Sequence, residues 1–288
     1  MLIKKERFHF AQEEEGQLMV DVTDRVNNRP IDGASVSISY VGDPQDTLEQ
    51  LTTDSNGMTE EIDLAAPPRS YSEYPLSDVQ PYSEYNLIIT APGYEPTTIS
   101  GSEIFSGELS IQPVRLNPVL PNASASVINI PANTLWGVFP PKIPEDEIKP
   151  VRSSGEIVLS RVVIPEYVVV HDGVPSDSSA TDYYVRYADY IKNVASSEIY
   201  STWPEATLRA NITAIMSFTL NRVYTEWYRN KGYDFTITTS TAYDHKWVYG
   251  RNIFDSISRI VDEIFASYVS RPNVKQPILT QYCDGKRV

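Results

Sequence analysis

Residues 195–208 read Ala-Ser-Ser-Glu-Ile-Tyr-Ser-Thr-Trp-Pro-Glu-Ala-Thr-Leu, and they place Glu198 on a short predicted turn before the longest predicted helix. Pro204 suits the first turn of that helix, because its missing N–H would have no intrahelical partner there. Apolar residues then follow at helical spacing, and Gly232 is the expected stop. Glu198 is therefore predicted to lie on irregular backbone anchored to a rigid element, a position typical of catalytic side chains.

The same stretch carries a family resemblance. Glu198, Trp203-Pro204 and Leu208-Arg209-Ala210-Asn211 resemble the pattern E-(M/I)-x-x-x-W-P-x-x-x-L-(K/R)-A-(Q/N) of the stage II sporulation protein D family. Its members are lytic transglycosylases that cut peptidoglycan glycan strands. The chain is more similar still to spore cortex-lytic enzymes of anaerobic spore formers, in which a transthyretin-like domain precedes such a domain. The resemblance covers roughly residues 15–288, and it is specific around Glu198 to Arg222 and again at Ser240 to Tyr249.

Composition limits the classes of function. The net charge of −14 comes from residues 1–150, which hold 9 basic and 23 acidic side chains, whereas residues 151–288 hold 15 of each. Neither half offers the basic face that nucleic acid requires. The sequence contains no apolar run long enough to span a bilayer, and no classical signal peptide is expected. The single cysteine, Cys283, excludes an internal disulfide and a zinc site of several thiolates.

The N-terminal half has the pattern of a β-sandwich. Segments with alternating apolar residues, separated by Gly, Pro and Asn, predict strands at 18–24, 34–40, 85–91 and 108–116. The motif V-x-D, P-I-x-G-A-x-V, T-D-x-x-G, Y-x-L and A-P-G-Y, in that order, resembles transthyretin-like or carboxypeptidase-regulatory domains. Such modules mostly act as spacers or adhesion units.

The predicted fold is multidomain. A mobile tail at 1–15 precedes an all-β transthyretin-like sandwich at 16–117, a Pro-rich linker at 118–154, and an α+β stage II sporulation protein D-like catalytic domain at 155–288. In that last domain, strands are predicted at 157–165, 167–171, 235–238 and 278–282, and helices at 187–197 and 252–268. The family continues past the position of Cys283, so the chain is expected to be C-terminally truncated.

The resemblance implies chemistry with one carboxylate. Most glycosidases place two carboxyl groups around the scissile bond. A lytic transglycosylase needs only an acid, here Glu198, which protonates the bridging oxygen and then takes the proton of the sugar's own 6-hydroxyl, leaving a 1,6-anhydro end. No cofactor and no metal are implied. The acid needs a raised pKa, produced by burial among aromatic groups. Glu205 is the competing carboxylate, and its place at a helix N-terminus explains it structurally.

The resemblance also indicates substrate-binding residues, namely Tyr200, Trp203, Asn211, Ser217, Tyr243, Tyr249 and Tyr282. Residues 240–249 resemble a family segment that lines the glycan groove. Met216 stands where the sporulation family often has an arginine. His245 by itself is a weak signal and is expected to be exposed, and the histidines lack the spacing of a metal site.

The partner that the resemblance implies is the peptidoglycan glycan strand of the spore cortex or cell wall. An activating protease and a monomeric state are further expectations. Two alternatives remain open at this point: a non-catalytic peptidoglycan-binding or structural spore protein, and a hydrolytic muramidase.

Overall fold

The computed structural model describes residues 14–74, 79–120, 125–133, 135, 140–146 and 159–281. In chain order the elements are β1 (Glu14–Asp24), β2 (Ser35–Tyr40), β3 (Asp43–Thr52), β4 (Ile62–Ala66), α1 (Ser70–Glu73), β5 (Ser83–Thr90), β6 (Thr97–Ile104), β7 (Leu109–Leu116), β8 (Ser126–Asn129), β9 (Tyr167–His171), β10 (Asp182–Arg186), α2 (Tyr187–Glu198), α3 (Glu205–Tyr224), a 3-10 helix (Arg229–Lys231), β11 (Ile237–Thr238), β12 (Ile253–Phe254) and α4 (Asp255–Ile264).

These residues form two compact units. The first unit contains the described residues up to 133, together with Tyr200–Trp203 and Tyr249–Ser256. The second unit contains the other described residues. Among the described helices, none combines the length and the apolar character needed to cross a membrane.

Two sheets build the first unit. One has the strand order β3-β2-β5-β6-β8 and the other β12-β7-β1-β4. Along β1 the residues Leu18, Val20 and Val22 are fully buried, while Met19 and Asp21 between them are only partly buried. This alternation gives each sheet an inner apolar face. Strand β6 contacts β1, β4 and β7 of the opposite sheet. The predicted β-sandwich is thus confirmed as two packed sheets.

The expected boundaries of the sandwich need correction. Strand β1 already begins at Glu14, inside the predicted tail. Within the predicted linker at 118–154, Ser126–Asn129 forms β8 and pairs in parallel with β6. The chain approaches β6 closely here, since a Cβ on Gly101 would lie 2.6 Å from the Ile130 carbonyl oxygen. Periodicity missed β8 because a strand this short carries little pattern.

A buried ion pair holds residues 249–256 in the first unit. The guanidinium of Arg251 lies 2.7 Å from the Glu103 carboxylate, and both side chains are inaccessible to solvent. Asn252 Nδ2 donates to the Glu103 carbonyl oxygen at 2.9 Å, and β12 pairs with β7. The predicted helix at 252–268 is therefore shorter, because Ile253 and Phe254 are strand residues and α4 begins at Asp255.

The second unit combines helices with the small sheet β10-β9-β11. The predicted strand at 167–171 and the predicted helix at 187–197 are confirmed as β9 and α2. Helix α3 ends at Tyr224 rather than at Gly232, because Glu226 adopts a φ of 49°. Gly232 instead ends the 3-10 helix, with a φ of 84°. No strand is present at 159–165 or at 278–281, and residues 157, 158 and 282 lie outside the described chain.

Candidate functional site

Glu198 is the last residue of α2, not a turn residue as the sequence suggested. Its Oε1 accepts a hydrogen bond from the backbone N–H of Lys246 at 2.7 Å. Its Oε2 is buried and has no hydrogen-bond partner among the described residues. The carboxyl group is thus held by a hydrogen bond at Oε1, while Oε2 makes no hydrogen bond within the described residues.

Burial raises the pKa of the Glu198 carboxyl to about 7. The Lys246 N–H and the positive charges of Lys142 and Lys246 act in the opposite direction, since they favour the carboxylate. Desolvation therefore outweighs one hydrogen bond and two cations. A carboxyl group in this condition can give and take a proton near neutral pH, as general acid–base catalysis requires.

His245, beside Lys246 in the chain, is buried rather than exposed as expected. Its pKa is well below the usual value because of burial first, and then because of the positive charges of Lys142 and Arg222. Its ring lies 4.4 Å from that of Phe218, and Tyr190 Oη is 3.4 Å from its Nδ1. A neutral imidazole in these surroundings adds no charge to the region.

Helix α2 binds residues 246–248 at a second position, Asn193, in addition to Glu198. The Asn193 side chain donates to the Val248 carbonyl oxygen at 2.8 Å and accepts from the Val248 N–H at 2.9 Å. This amide imitates the pairing of a neighbouring strand. Asn193 and Glu198 therefore fix residues 246–248 against one helix.

A buried charge cluster, centred on Arg222 of α3, fixes the beginning of that segment. The Arg222 guanidinium lies 2.6 Å from Asp244 Oδ1 and 2.6 Å from Glu145 Oε1. Asp244 Oδ2 accepts from Tyr228 Oη and from Thr238 Oγ1, each at 2.6 Å. The sequence reasoning missed this cluster. The available signal was an arginine on the apolar face of α3, which demands buried acidic partners.

Three predicted substrate-binding residues belong to the first unit. The Tyr200 ring lies 5.3 Å from Phe105 and 5.8 Å from Trp203. Trp203 Nε1 donates to the Ser72 carbonyl oxygen at 3.0 Å. The Tyr249 hydroxyl accepts from Arg25 at 2.8 Å. Glu198 belongs to the second unit, so the aromatic surroundings predicted for it are not found as one set within either unit.

The remaining predicted residues have mixed positions. Asn211 is partly buried, and its amide donates to the Thr207 carbonyl oxygen at 2.9 Å. Ser217 is placed in the core instead of a groove, because its hydroxyl donates to Thr213 and accepts from Val269. Tyr243 is partly buried in the second unit, Met216 is fully buried, and Tyr282 and Cys283 lie outside the described residues. Across the described ranges, no group of three or more His, Cys, Asp or Glu side chains is arranged to hold a metal ion.

The raised pKa of Glu198 predicts a pH dependence of stability. Below pH about 4.5 the carboxyl is protonated in both states, so no cost of burying a charge arises. As the pH rises towards 7, the unfolded chain releases the proton first, and the free energy of unfolding falls by about 3 kcal/mol in total. We expect Glu198→Gln to remove this loss, which urea unfolding at acidic and alkaline pH would measure. Equal differences between variant and parent at both pH values would contradict the burial of an ionisable carboxyl.

No protein-family model and no curated protein matches the chain. Solved structures match part of it. The Bacillus anthracis TIE protein is 16% identical over 37% of this chain and 17% of its own, with a TM-score of 0.25. Klebsiella pneumoniae 5-hydroxyisourate hydrolase is 20% identical over 36% of this chain and 92% of its own, with a TM-score of 0.24. GBS52, the minor pilin of Streptococcus agalactiae, is 17% identical over 39% of this chain and 48% of its own, with a TM-score of 0.26. Scores this low support no conclusion about function.

Proposed function

We propose that the second unit is a stage II sporulation protein D-like domain that cleaves peptidoglycan as a lytic transglycosylase, and that the first unit is a transthyretin-like module. The observation that carries the catalytic proposal is the Glu198 carboxyl group. The residue is partly buried, its Oε1 is held by the Lys246 N–H, its Oε2 is inaccessible and has no partner within the described chain, and desolvation raises its pKa to about 7.

Glu198 would act twice in one turnover. The protonated carboxyl donates its proton to the oxygen that bridges the two sugars, and the bond from C1 to that oxygen breaks. The resulting carboxylate accepts the proton of the 6-hydroxyl on the same sugar, while the hydroxyl oxygen bonds to C1. The products are a free hydroxyl on the leaving sugar and a 1,6-anhydro ring, so Glu198 ends protonated again. A pKa near neutrality suits both proton transfers.

The state of Asp244 favours this one-carboxylate reaction over hydrolysis by a carboxyl pair. A hydrolase of that type needs a second carboxylate to act as a nucleophile or to activate water. Asp244 lies in the segment beside Glu198, but its two oxygens are occupied by Arg222, Tyr228 and Thr238. These oxygens are therefore not free to act as a nucleophile or to activate water.

The proposal predicts the product of the reaction. Incubation with cortex peptidoglycan that contains muramic-δ-lactam, followed by mass spectrometry, should reveal fragments with 1,6-anhydro ends. Reducing ends would contradict the proposal and identify a hydrolytic muramidase. Sedimentation with the glycan in the absence of cleavage would contradict it in favour of a binding or structural protein.

A further inference from the structure

Lys142 and Glu198 contact opposite ends of the same short segment, Asp244–Lys246. Lys142 Nζ donates to the carbonyl oxygen of Asp244 at 2.8 Å. The backbone N–H of Lys246 donates to Glu198 Oε1 at 2.7 Å. Both contacts are made to main-chain atoms of one segment. The position of the donor that Glu198 uses therefore depends on where the Asp244 carbonyl is held.

Lys142 itself comes from a stretch that is held in place. In residues 140–146, the Ile143 N–H donates to the Ala242 carbonyl oxygen at 2.9 Å. Glu145 forms its ion pair with the buried Arg222. Two residues that closely follow Lys142 in the chain are thus fixed to the second unit, and its ammonium group is presented to Asp244 from a defined direction.

Charge couples the two side chains as well. Burial lowers the pKa of Lys142, and the carboxylates of Glu198 and Asp244 oppose that change. Reciprocally, the Lys142 charge favours the carboxylate form of Glu198. The other titratable or charged groups around this pair are Tyr190 on α2, Arg222 on α3, and His245 and Lys246 on the segment.

We propose that Lys142 is a positioning residue for Glu198, acting through the segment Asp244–Lys246 and through its own charge. This proposal rests on the proposed role of Glu198 as acid and base. After the first proton transfer Glu198 must remain as a carboxylate until it takes the proton of the 6-hydroxyl. The Lys142 ammonium favours that state through its charge, and the bound Asp244 carbonyl keeps the Lys246 N–H directed at Oε1.

The test measures Glu198 directly and does not depend on turnover. In the full chain labelled with ¹³C at the glutamate carboxyl carbon, comparison with Glu198→Gln identifies the Glu198 signal. Its titration is then followed in the parent, Lys142→Met and Lys142→Arg. We expect the pKa of Glu198 to rise by about one unit in Lys142→Met and to stay close to the parent value in Lys142→Arg, which retains the charge and donors. An unchanged titration in Lys142→Met would overturn the proposal.

Lys142→Gln serves as a second variant, because it keeps a hydrogen-bond donor while losing the charge. Unfolding of both Lys142→Met and Lys142→Gln would also overturn the proposal, since Lys142 would then be a part of the core. If the parent cleaves cortex, the alkaline limb of its pH profile should move upward by the same amount in Lys142→Met. If the Glu198 pKa differs between Lys142→Met and the parent but the parent does not cleave cortex, Lys142 retains its positioning role and the proposed transglycosylase activity is rejected.

Discussion

Glu198→Gln is expected to lower the rate of glycan cleavage by about 10²–10⁴-fold, the usual cost of losing a general acid. The amide keeps the shape of the side chain and can still accept the Lys246 N–H, but it has no acidic proton to donate. Because the parent acts through a carboxyl of pKa about 7, its cleavage rate should also fall as the pH rises above that value. Release of anhydro-ended fragments, quantified over time, provides both measurements.

Glu205→Gln is the matched control. Glu205 lies at the start of α3 and pairs with Arg209 on the surface, at a side-chain exposure of 55%. Its substitution should leave cleavage at the parental rate. Loss of activity in Glu205→Gln together with full activity in Glu198→Gln would transfer the catalytic assignment to Glu205.

Arg222→Met is expected to lower the free energy of unfolding of the second unit by about 3–5 kcal/mol. Methionine fills much of the space, but it leaves the carboxylates of Asp244 and Glu145 buried without their cation. Removing one partner from a buried ion pair costs far more stability than removing one partner from an exposed pair, because water cannot solvate the buried charge that remains. Urea unfolding followed by tryptophan fluorescence would report the change, since Trp227 stacks on Arg222.

Arg209→Met tests whether burial is the cause. Arg209 lies on the same helix and contacts Glu205 and Glu263, but these ion pairs are at the surface. Water already solvates such charges, so their removal should change the midpoint little. A comparable loss in both variants would show that helix α3, and not the buried cluster, accounts for the effect of Arg222→Met.

Local pattern was sufficient for much of the framework. The alternation along residues 18–24 specified a strand with one buried face, and that face lies in the sandwich core. The position of Pro204 indicated the start of α3, which begins at Glu205. The helix predicted at 187–197 ends one residue later, at Glu198. These features depend on neighbours two to four residues apart, and such spacings can be read in a single sequence.

The candidate site depended on contacts that are distant in the chain. Glu198 and its donor Lys246 are 48 residues apart, and Arg222 is 77 residues from Glu145. Nothing near Glu198 in the sequence indicates that its Oε2 would be buried, since desolvation depends on atoms that only folding brings together. The sequence by itself predicted a helix that ends just before Glu198 and a longer helix that starts after Pro204. The tertiary structure alone decided that Oε2 of this carboxyl is inaccessible, that Oε1 is held by a hydrogen bond and that the pKa is raised to about 7, because burial and charge pairing arise from long-range packing and not from local periodicity.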